Sequence, residues 1–94
     1  MRGFIYTLWA SLEIEQMSDY TNSKWGQSQV ITYIDDMEAL FEELTTFPKM
    51  GETIGTSHKQ TRKIVFKSHV IYYDVSDDNV IILAVLQKNQ LSDL

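Results

Sequence analysis

The sequence predicts an α+β fold of two layers, in which a helical hairpin packs on an antiparallel sheet. The last third, from Thr61 to Gln87, contains three runs rich in β-branched and aromatic residues, which is typical of strands. The part before it, from about Ser11 to Thr45, repeats apolar residues at the spacing of amphipathic helices. Helices with one apolar stripe bury it against the face of a sheet, so we expect the order β-α-α-β-β-β.

Length and composition indicate one small soluble domain spanning residues 1–94. The chain has 94 residues, 44% of them hydrophobic, and no cysteine, which excludes a disulfide framework and thiolate metal sites. The absence of cysteine suits a reducing cytosol, so we expect a cytoplasmic protein. The apolar run from Phe4 to Ala10 is too short to span a bilayer, and we expect no membrane association.

Charge is unevenly distributed along the chain, whose net charge is -5. Residues 1–46 hold two basic and eight acidic side chains, whereas residues 47–94 hold six basic and five acidic ones. A general nucleic-acid binder is basic overall, so we expect no direct sequence-specific contact with nucleic acid. The local excess of positive charge from Lys49 to Lys67 indicates either a binding patch or a solvated loop and strand.

The first strand and the first helix follow from local composition. Gly3 to Trp9 is aromatic and β-branched, which predicts a strand. Ser11 is the predicted N-cap of the first helix, with Glu13 and Glu15 in its first turn, where the helix dipole favours negative charge. Gly26 is predicted to end this helix, since glycine is the commonest residue just after a helix.

A second helix is predicted from about Gln27 to Thr45. Its apolar residues form one stripe, and its carboxylates fall mostly on the opposite, solvated side. The stripe contains Val30, Tyr33, Ile34, Met37, Leu40, Phe41 and Leu44. The short break at Gly26 makes the two helices an antiparallel hairpin. Pro48, Gly51 and Gly55 then indicate an irregular loop to about Gln60.

Three strands complete the chain, at Thr61–Lys67, His69–Val75 and Val80–Leu86. The last is apolar almost throughout, which predicts a central strand covered on both faces. Side chains alternate along a strand, so Tyr72 and Tyr73 are expected on opposite faces of the sheet, one of them beneath the helices.

Several motifs in this order resemble the ParE branch of the RelE/ParE superfamily, which contains toxins of bacterial type II toxin–antitoxin pairs. The resemblance covers about residues 6–87. It is carried by DYTNSKWG (Asp19 to Gly26), the Phe41-Glu42-Glu43-Leu44 and Pro48-Lys49-Met50-Gly51 pair, Arg62 opening a strand, HVIYYDV (His69 to Val75) and VIILAVLQ (Val80 to Gln87).

The resemblance implies a toxin that blocks DNA gyrase and is neutralised by a cognate, ParD-like antitoxin wrapping a hydrophobic groove. An alternative, implied by the RelE branch, is a ribosome-dependent mRNA endonuclease. Two departures from the usual pattern, Gln87 where the family has a histidine and the acidic net charge, leave open a third reading. In that reading the toxin fold binds an antitoxin but is no longer toxic.

Nuclease chemistry requires several cations around the scissile phosphate and a positioned acid or base. Arg62 and Lys63 could supply positive charge, but residues 87–94 contain no Tyr, Arg or His to complete such a set. His69 could act as a base, although we favour a strand-end residue bonded to backbone. We therefore expect a protein that is not an enzyme.

The candidate sites fall into two sets. Basic and polar residues around the predicted strands are the candidates for target binding: Arg62, Lys63, Lys67, His69, Tyr73 and Lys88. Apolar residues of the N-terminal half are the candidates for antitoxin binding: Trp9, Ile14, Met17, Met37 and Phe41. His58 and His69 lack the spacing of metal ligands, so no metal or cofactor is expected. The expected assembly is a homodimer or a toxin–antitoxin hetero-oligomer.

Overall fold

A computed structural model of the chain describes residues 3–55 and 61–88. Two long helices form a hairpin on one face of a five-stranded sheet. The elements are β1 (Gly3–Tyr6), α1 (Leu8–Trp25), α2 (Gln27–Thr46), a single 3₁₀ turn (Pro48–Met50), β2 (Glu52–Thr53), β3 (Arg62–Phe66), β4 (His69–Val75) and β5 (Asn79–Gln87). This confirms the predicted α+β class and the predicted helical hairpin, whose break lies at Gly26 with φ 90°.

The sheet is mixed, with the strand order β1-β5-β4-β3-β2. β3, β4 and β5 pair antiparallel, as predicted, and β2 joins them antiparallel to β3, but β1 runs parallel to β5. No tight turn joins β1 to β5, so nothing in the local sequence fixed their relative direction. The position of β5 between β1 and β4 makes it an inner strand.

The core lies between the helices and the facing side of the sheet. Phe41 of α2 is fully buried and meets the rings of Phe4 and Tyr6 edge-on, with centroids 5.6 and 5.8 Å away. Edge-to-face pairs of this kind add to the free energy of apolar burial. The remaining buried apolar residues are Ala10, Met17, Met37, Leu44, Phe66, Val70, Ile71, Tyr73, Val80, Ile82 and Val85.

α1 begins four residues earlier than predicted, because Thr7 and not Ser11 is its N-cap. The Thr7 hydroxyl accepts a hydrogen bond from the N–H of Ala10 at 3.1 Å and donates to the carbonyl of Leu83 at 3.0 Å. The strand prediction to Trp9 was therefore wrong, since a cap anchored to β5 overrides the strand propensity of the apolar residues that follow it. Glu13 consequently lies inside the helix, beyond its first turn.

β5 faces the helices with one side only, so the prediction that both of its faces are covered was wrong. Val80, Ile82 and Val85 are buried, and the residues between them are half-buried. The β4–β5 pairing is irregular here, since Tyr72 lies opposite Ala84 while the next residue, Tyr73, lies opposite Ile82. This irregularity shifts the alternation of inward and outward side chains along β5. The residues of β5 between the buried ones are mostly apolar as well, and this made β5 resemble a doubly covered strand.

Tyr72 and Tyr73 lie on opposite faces, as predicted, with Tyr73 beneath the helices and fully buried. The segment predicted as an irregular loop from Pro48 contains the two-residue strand β2, which pairs with Arg62 and Lys63. His58 lies outside the described residues. None of the described helices is long and apolar enough to cross a membrane.

Candidate functional site

The beginning of β3 holds the segment after α2 in place. Arg62 and Tyr73 are direct cross-strand partners, and both bind Gly51. The Tyr73 hydroxyl donates to the carbonyl of Pro48 at 2.8 Å and accepts from the N–H of Gly51 at 2.9 Å. The Arg62 guanidinium donates to the carbonyls of Gly51 at 2.7 Å and Lys49 at 3.5 Å. These contacts fix the backbone from Pro48 to Gly51 against the sheet.

This arrangement corrects the interpretation of Tyr73 as a target-binding residue. Its side chain is fully buried and both hydrogen-bonding capacities of its hydroxyl are used internally, so it has no surface for a partner. Burial raises the pKa of the Tyr73 hydroxyl, against the opposing effects of the Gly51 hydrogen bond and the Arg62 charge. A side chain at Gly51 would clash, since an added Cβ would lie 2.6 Å from that hydroxyl.

The segment held by Arg62, together with Lys63 of β3, presents basic and apolar side chains, and we call Phe47, Lys49, Met50 and Lys63 the basic–apolar patch. Phe47 is 60% exposed and Met50 44% exposed, which is unusual for large apolar side chains. Lys63 lies 3.6 Å from Glu52 in an exposed ion pair, which contributes little to stability. The patch thus combines apolar area with positive charge at the surface.

A cavity of about 520 Å³ opens at the other end of β3 and β4, between the hairpin and the sheet. We call it the hairpin cavity. Its lining residues come from both helices and from the ends of β4 and β5: Met17, Tyr20, Thr21, Trp25, Gln29, Tyr33, Ser68, His69, Gln87 and Lys88. Its size and its aromatic lining with a few polar groups are those of protein binding sites.

His69 lies at the back of the hairpin cavity and is buried. Its Nδ1 lies 2.7 Å from the hydroxyl of Tyr33, and the two rings meet edge-on. The interpretation of His69 as bonded to backbone was therefore wrong, since its Nδ1 partner is a helix side chain. Burial lowers the pKa of the His69 imidazole, which favours the neutral ring.

Two lysines flank this end of the sheet. Lys67 forms an ion pair with Asp36 at 2.7 Å, and its ammonium group lies 4.9 Å from the centre of the Tyr33 ring. Lys88 is exposed and lines the cavity, while its backbone N–H donates to the carbonyl of Ser68 at 3.0 Å. Lys88 is thus an exposed cation at the cavity, whereas the ammonium group of Lys67 is already paired with Asp36.

The five candidates for antitoxin binding differ in accessibility. Trp9 is 63% exposed at the start of α1, and Met17 lines the hairpin cavity. Ile14 is half-buried and packs against the core. Met37 and Phe41 are at most 1% exposed, so their assignment to a binding surface is corrected to the core. The helical stripe that predicts burial cannot separate a core residue from one at the rim.

The candidates for target binding separate into two groups. Arg62, Lys63 and Tyr73 lie at one end of the β3–β4 pair, and Lys67 and His69 lie at the other. Four residues of strand, about 13 Å, separate the two ends. Within residues 3–55 and 61–88, no three His, Asp or Glu side chains converge to hold a metal ion.

Sequence reasoning passed over Tyr20 and Tyr33 as site residues, as well as Phe47 and Met50. Tyr20 and Trp25 pack edge-on with centroids 6.5 Å apart, at the mouth of the cavity. Tyr20 lies in the segment Asp19 to Gly26, which contributes to the family resemblance but gives no sign that this side chain is exposed. Exposure of such residues depends on where a helix ends relative to the sheet, and no local pattern records it.

Comparison with known proteins places this fold in context. The model of the family described as "ParE toxin of type II toxin-antitoxin system, parDE" matches residues 4–91. Toxin ParE1 of Caulobacter vibrioides is 26% identical over 66 residues, covering 70% of this chain and 69% of that protein. Toxin ParE1 of Mycobacterium tuberculosis is 24% identical over 72 residues, covering 77% and 74%.

Among solved structures, a chain from the chromosomal ParDE system of P. aeruginosa has the same fold. The TM-score is 0.74, with 93% of this chain and 96% of that chain covered, at 13% sequence identity. At this level of identity, the likeness establishes a shared fold.

Proposed function

Because the chain belongs to the ParE toxin family of type II toxin–antitoxin systems, we propose that it inhibits DNA gyrase and is neutralised by a cognate antitoxin. The protein binds its target and carries out no reaction of its own. Its site of action is the cytoplasm. Family membership supports gyrase as the target. The separation of the two candidate surfaces supports separate binding sites for gyrase and the antitoxin.

The geometry of the cations and the histidine favours a binding protein over an endonuclease. Arg62 is occupied with the carbonyls of Gly51 and Lys49. His69 lies about four residues of strand away, is buried and is bonded to Tyr33. A phosphate cannot contact both groups at once, so Arg62 and His69 do not surround one scissile bond.

The hairpin cavity is the surface that we assign to the antitoxin. It offers the exposed aromatic pair Tyr20 and Trp25, with Met17 within the cavity, and an ammonium group on Lys24 within 5.6 Å of both rings. Tryptophan and tyrosine dominate binding energy at protein interfaces when a partner desolvates them. An apolar side chain of the antitoxin fits this cavity.

The basic–apolar patch is the surface that we assign to gyrase. Arg62 acts there as a positioning residue, since it holds the backbone that carries Lys49 and Met50. Exposed Phe47 and Met50 supply apolar area, and Lys49 and Lys63 supply charge. The two surfaces lie at opposite ends of the β3–β4 pair, so the antitoxin and gyrase bind different parts of the toxin. In this proposal the antitoxin neutralises the toxin by holding it in a complex that gyrase cannot bind.

Controlled induction in a bacterial host tests this function. We expect growth arrest with a DNA damage response while protein synthesis continues, and we expect co-expressed antitoxin to restore growth. An early block of translation with cleaved transcripts would replace the proposal with the mRNA endonuclease. Unimpaired growth, with antitoxin binding retained, would indicate a toxin fold that has lost its toxicity.

A further inference from the structure

The outer edge of β1 is an uncovered strand edge. Gly3 and Thr7 donate their N–H groups to the carbonyls of Asp78, just before β5, and of Ile82 in β5, so alternate residues of β1 face β5. Phe4 and Tyr6 therefore direct their backbone N–H and C=O groups away from the sheet. Within the described residues, these four groups have no hydrogen-bond partner. Such a row of backbone groups is a template for pairing with another chain.

β1 carries none of the features that usually protect a strand edge. Its sequence, Gly-Phe-Ile-Tyr, contains no charge and no proline, and the strand has no bulge. Ile5 is half-exposed on the outer face of the sheet. By contrast, the edge of β5 beyond β1 is capped, since Thr7 binds the carbonyl of Leu83 and Glu13 accepts from the N–H of Val85 at 2.8 Å. The edge at β2 is only two residues long.

α2 carries a row of carboxylates on one side, and one of them, Glu38, lies near Tyr6 of β1. Asp35, Glu38 and Glu42 are exposed at the spacing i, i+3, i+7, which places them on one side of the helix. Glu38 lies close enough to Tyr6 that its charge, after burial, raises the pKa of the Tyr6 hydroxyl. None of the three has an ion-pair partner among the described residues. Like charges at these spacings destabilise a helix, and an external cation would remove that cost.

We propose that the outer edge of β1 accepts an extended protein segment as a sixth strand, with basic residues at alternate positions and apolar residues between them. The basic side chains would lie under α2 and pair with Glu38 and Glu42, while the apolar ones extend the outer face next to Ile5. Alternation follows from the two-residue period of a strand. The inference depends on the proposed function in one respect, which is that the antitoxin is the partner expected to supply the added strand.

The test uses the full chain and a synthetic nine-residue peptide of alternating lysine and valine, with both termini blocked, at physiological salt. Amide hydrogen exchange followed by NMR reports individual backbone groups. We expect exchange at Phe4 and Tyr6 to slow at least about tenfold on binding, because their N–H groups become paired, with little change at Ile5. A peptide with glutamate in place of lysine, and one N-methylated at alternate residues, should leave exchange unchanged.

A matched pair of variants separates specific pairing from general attraction to an acidic protein. Replacing Glu38→Gln and Glu42→Gln together should weaken peptide binding about threefold to tenfold. Glu15→Gln with Asp19→Asn removes the same charge from the exposed side of α1 and should leave the affinity within about twofold. Equal weakening by both pairs, or binding without protection of Phe4 and Tyr6, would overturn the proposal.

The proposed function is judged by a separate readout, the inhibition of gyrase by the unmodified chain. Inhibition without protection at Phe4 and Tyr6 would overturn the edge inference alone. Protection of those two amides without inhibition would uphold the edge as a binding site and overturn the assignment of gyrase as target.

Discussion

Arg62 and Tyr73 face each other across β3 and β4 and bind the two backbone polar groups of the same residue, with Tyr73 on the N–H of Gly51 and Arg62 on its carbonyl. The pair connects the sheet to the segment that carries the basic–apolar patch. A buried side chain therefore controls the shape of an exposed binding surface. Predictions about stability and about binding follow from this connection.

Replacing Tyr73→Phe should destabilise the fold by about 1–3 kcal/mol, because the N–H of Gly51 would lose its buried acceptor. Urea denaturation followed by circular dichroism measures the change. Tyr72→Phe is the matched control, since its hydroxyl has no hydrogen-bond partner within the described chain, and it should change stability by less than about 0.5 kcal/mol. Equal losses in the two variants would show that the hydroxyl of Tyr73 does not support the segment.

Replacing Glu13→Ala should destabilise the protein by about 1–3 kcal/mol, since the N–H of Val85 would lose its only acceptor in the described chain. Glu13→Gln keeps a side-chain oxygen and should stay close to the wild type. Burial raises the pKa of the Glu13 carboxyl, so the neutral amide should match the wild type most closely at acidic pH, where the wild-type carboxyl is also neutral. Thermal unfolding of the wild type, Glu13→Ala and Glu13→Gln measures the order of their stabilities. An alanine variant as stable as the glutamine variant would contradict the capping role.

The pH dependence of stability should carry a contribution from His69. Burial lowers the pKa of its imidazole below the usual 6.5, so the unfolded chain binds a proton before the folded chain does as pH falls. Stability from this group is complete above pH 6.5 and decreases as pH falls below it. Urea denaturation at pH 7.5 and 5.5 measures the loss. His69→Gln should show a smaller loss than the wild type, and an equal loss would contradict the assignment.

The two binding surfaces should respond separately to mutation. Trp25→Ala at the cavity should weaken antitoxin binding by about 2 kcal/mol, which is roughly thirtyfold, while inhibition of gyrase is retained. Phe47→Ala in the basic–apolar patch should weaken inhibition of gyrase and leave antitoxin affinity within about twofold. Calorimetry and a supercoiling assay measure the two effects. If both variants lost both activities, a single shared surface would replace the two.

Much of the fold could be predicted from sequence because it depends on local periodicity. The apolar stripe of α2 and the break at Gly26 gave the hairpin, and the three C-terminal runs gave β3, β4 and β5. The direction of β1 could not be predicted, since it depends on docking against β5, more than 70 residues away. The predicted start of α1 was wrong because it too depends on a distant contact, the hydrogen bond from the Thr7 cap to the carbonyl of Leu83.

The candidate sites were harder to predict, because a residue type does not report its exposure. Tyr73 and Phe41 carry the aromatic character of interface residues but are fully buried. Met17 and Lys88 come from opposite ends of the chain and meet only in the folded cavity. The aromatic pair Tyr20 and Trp25 gained its importance from the cavity beside it, which no stretch of sequence describes.

The most direct test of the central proposal is a supercoiling assay with purified gyrase, relaxed plasmid, ATP and increasing amounts of the purified chain. We expect loss of supercoiling and accumulation of cleaved plasmid, and we expect neither effect when the cognate antitoxin is added before the chain. The variant Phe47→Ala should require a higher concentration for the same effect, and Ile31→Ala, an equally exposed residue on α2, should behave as the wild type. Full supercoiling at a large molar excess of folded protein would contradict the proposal.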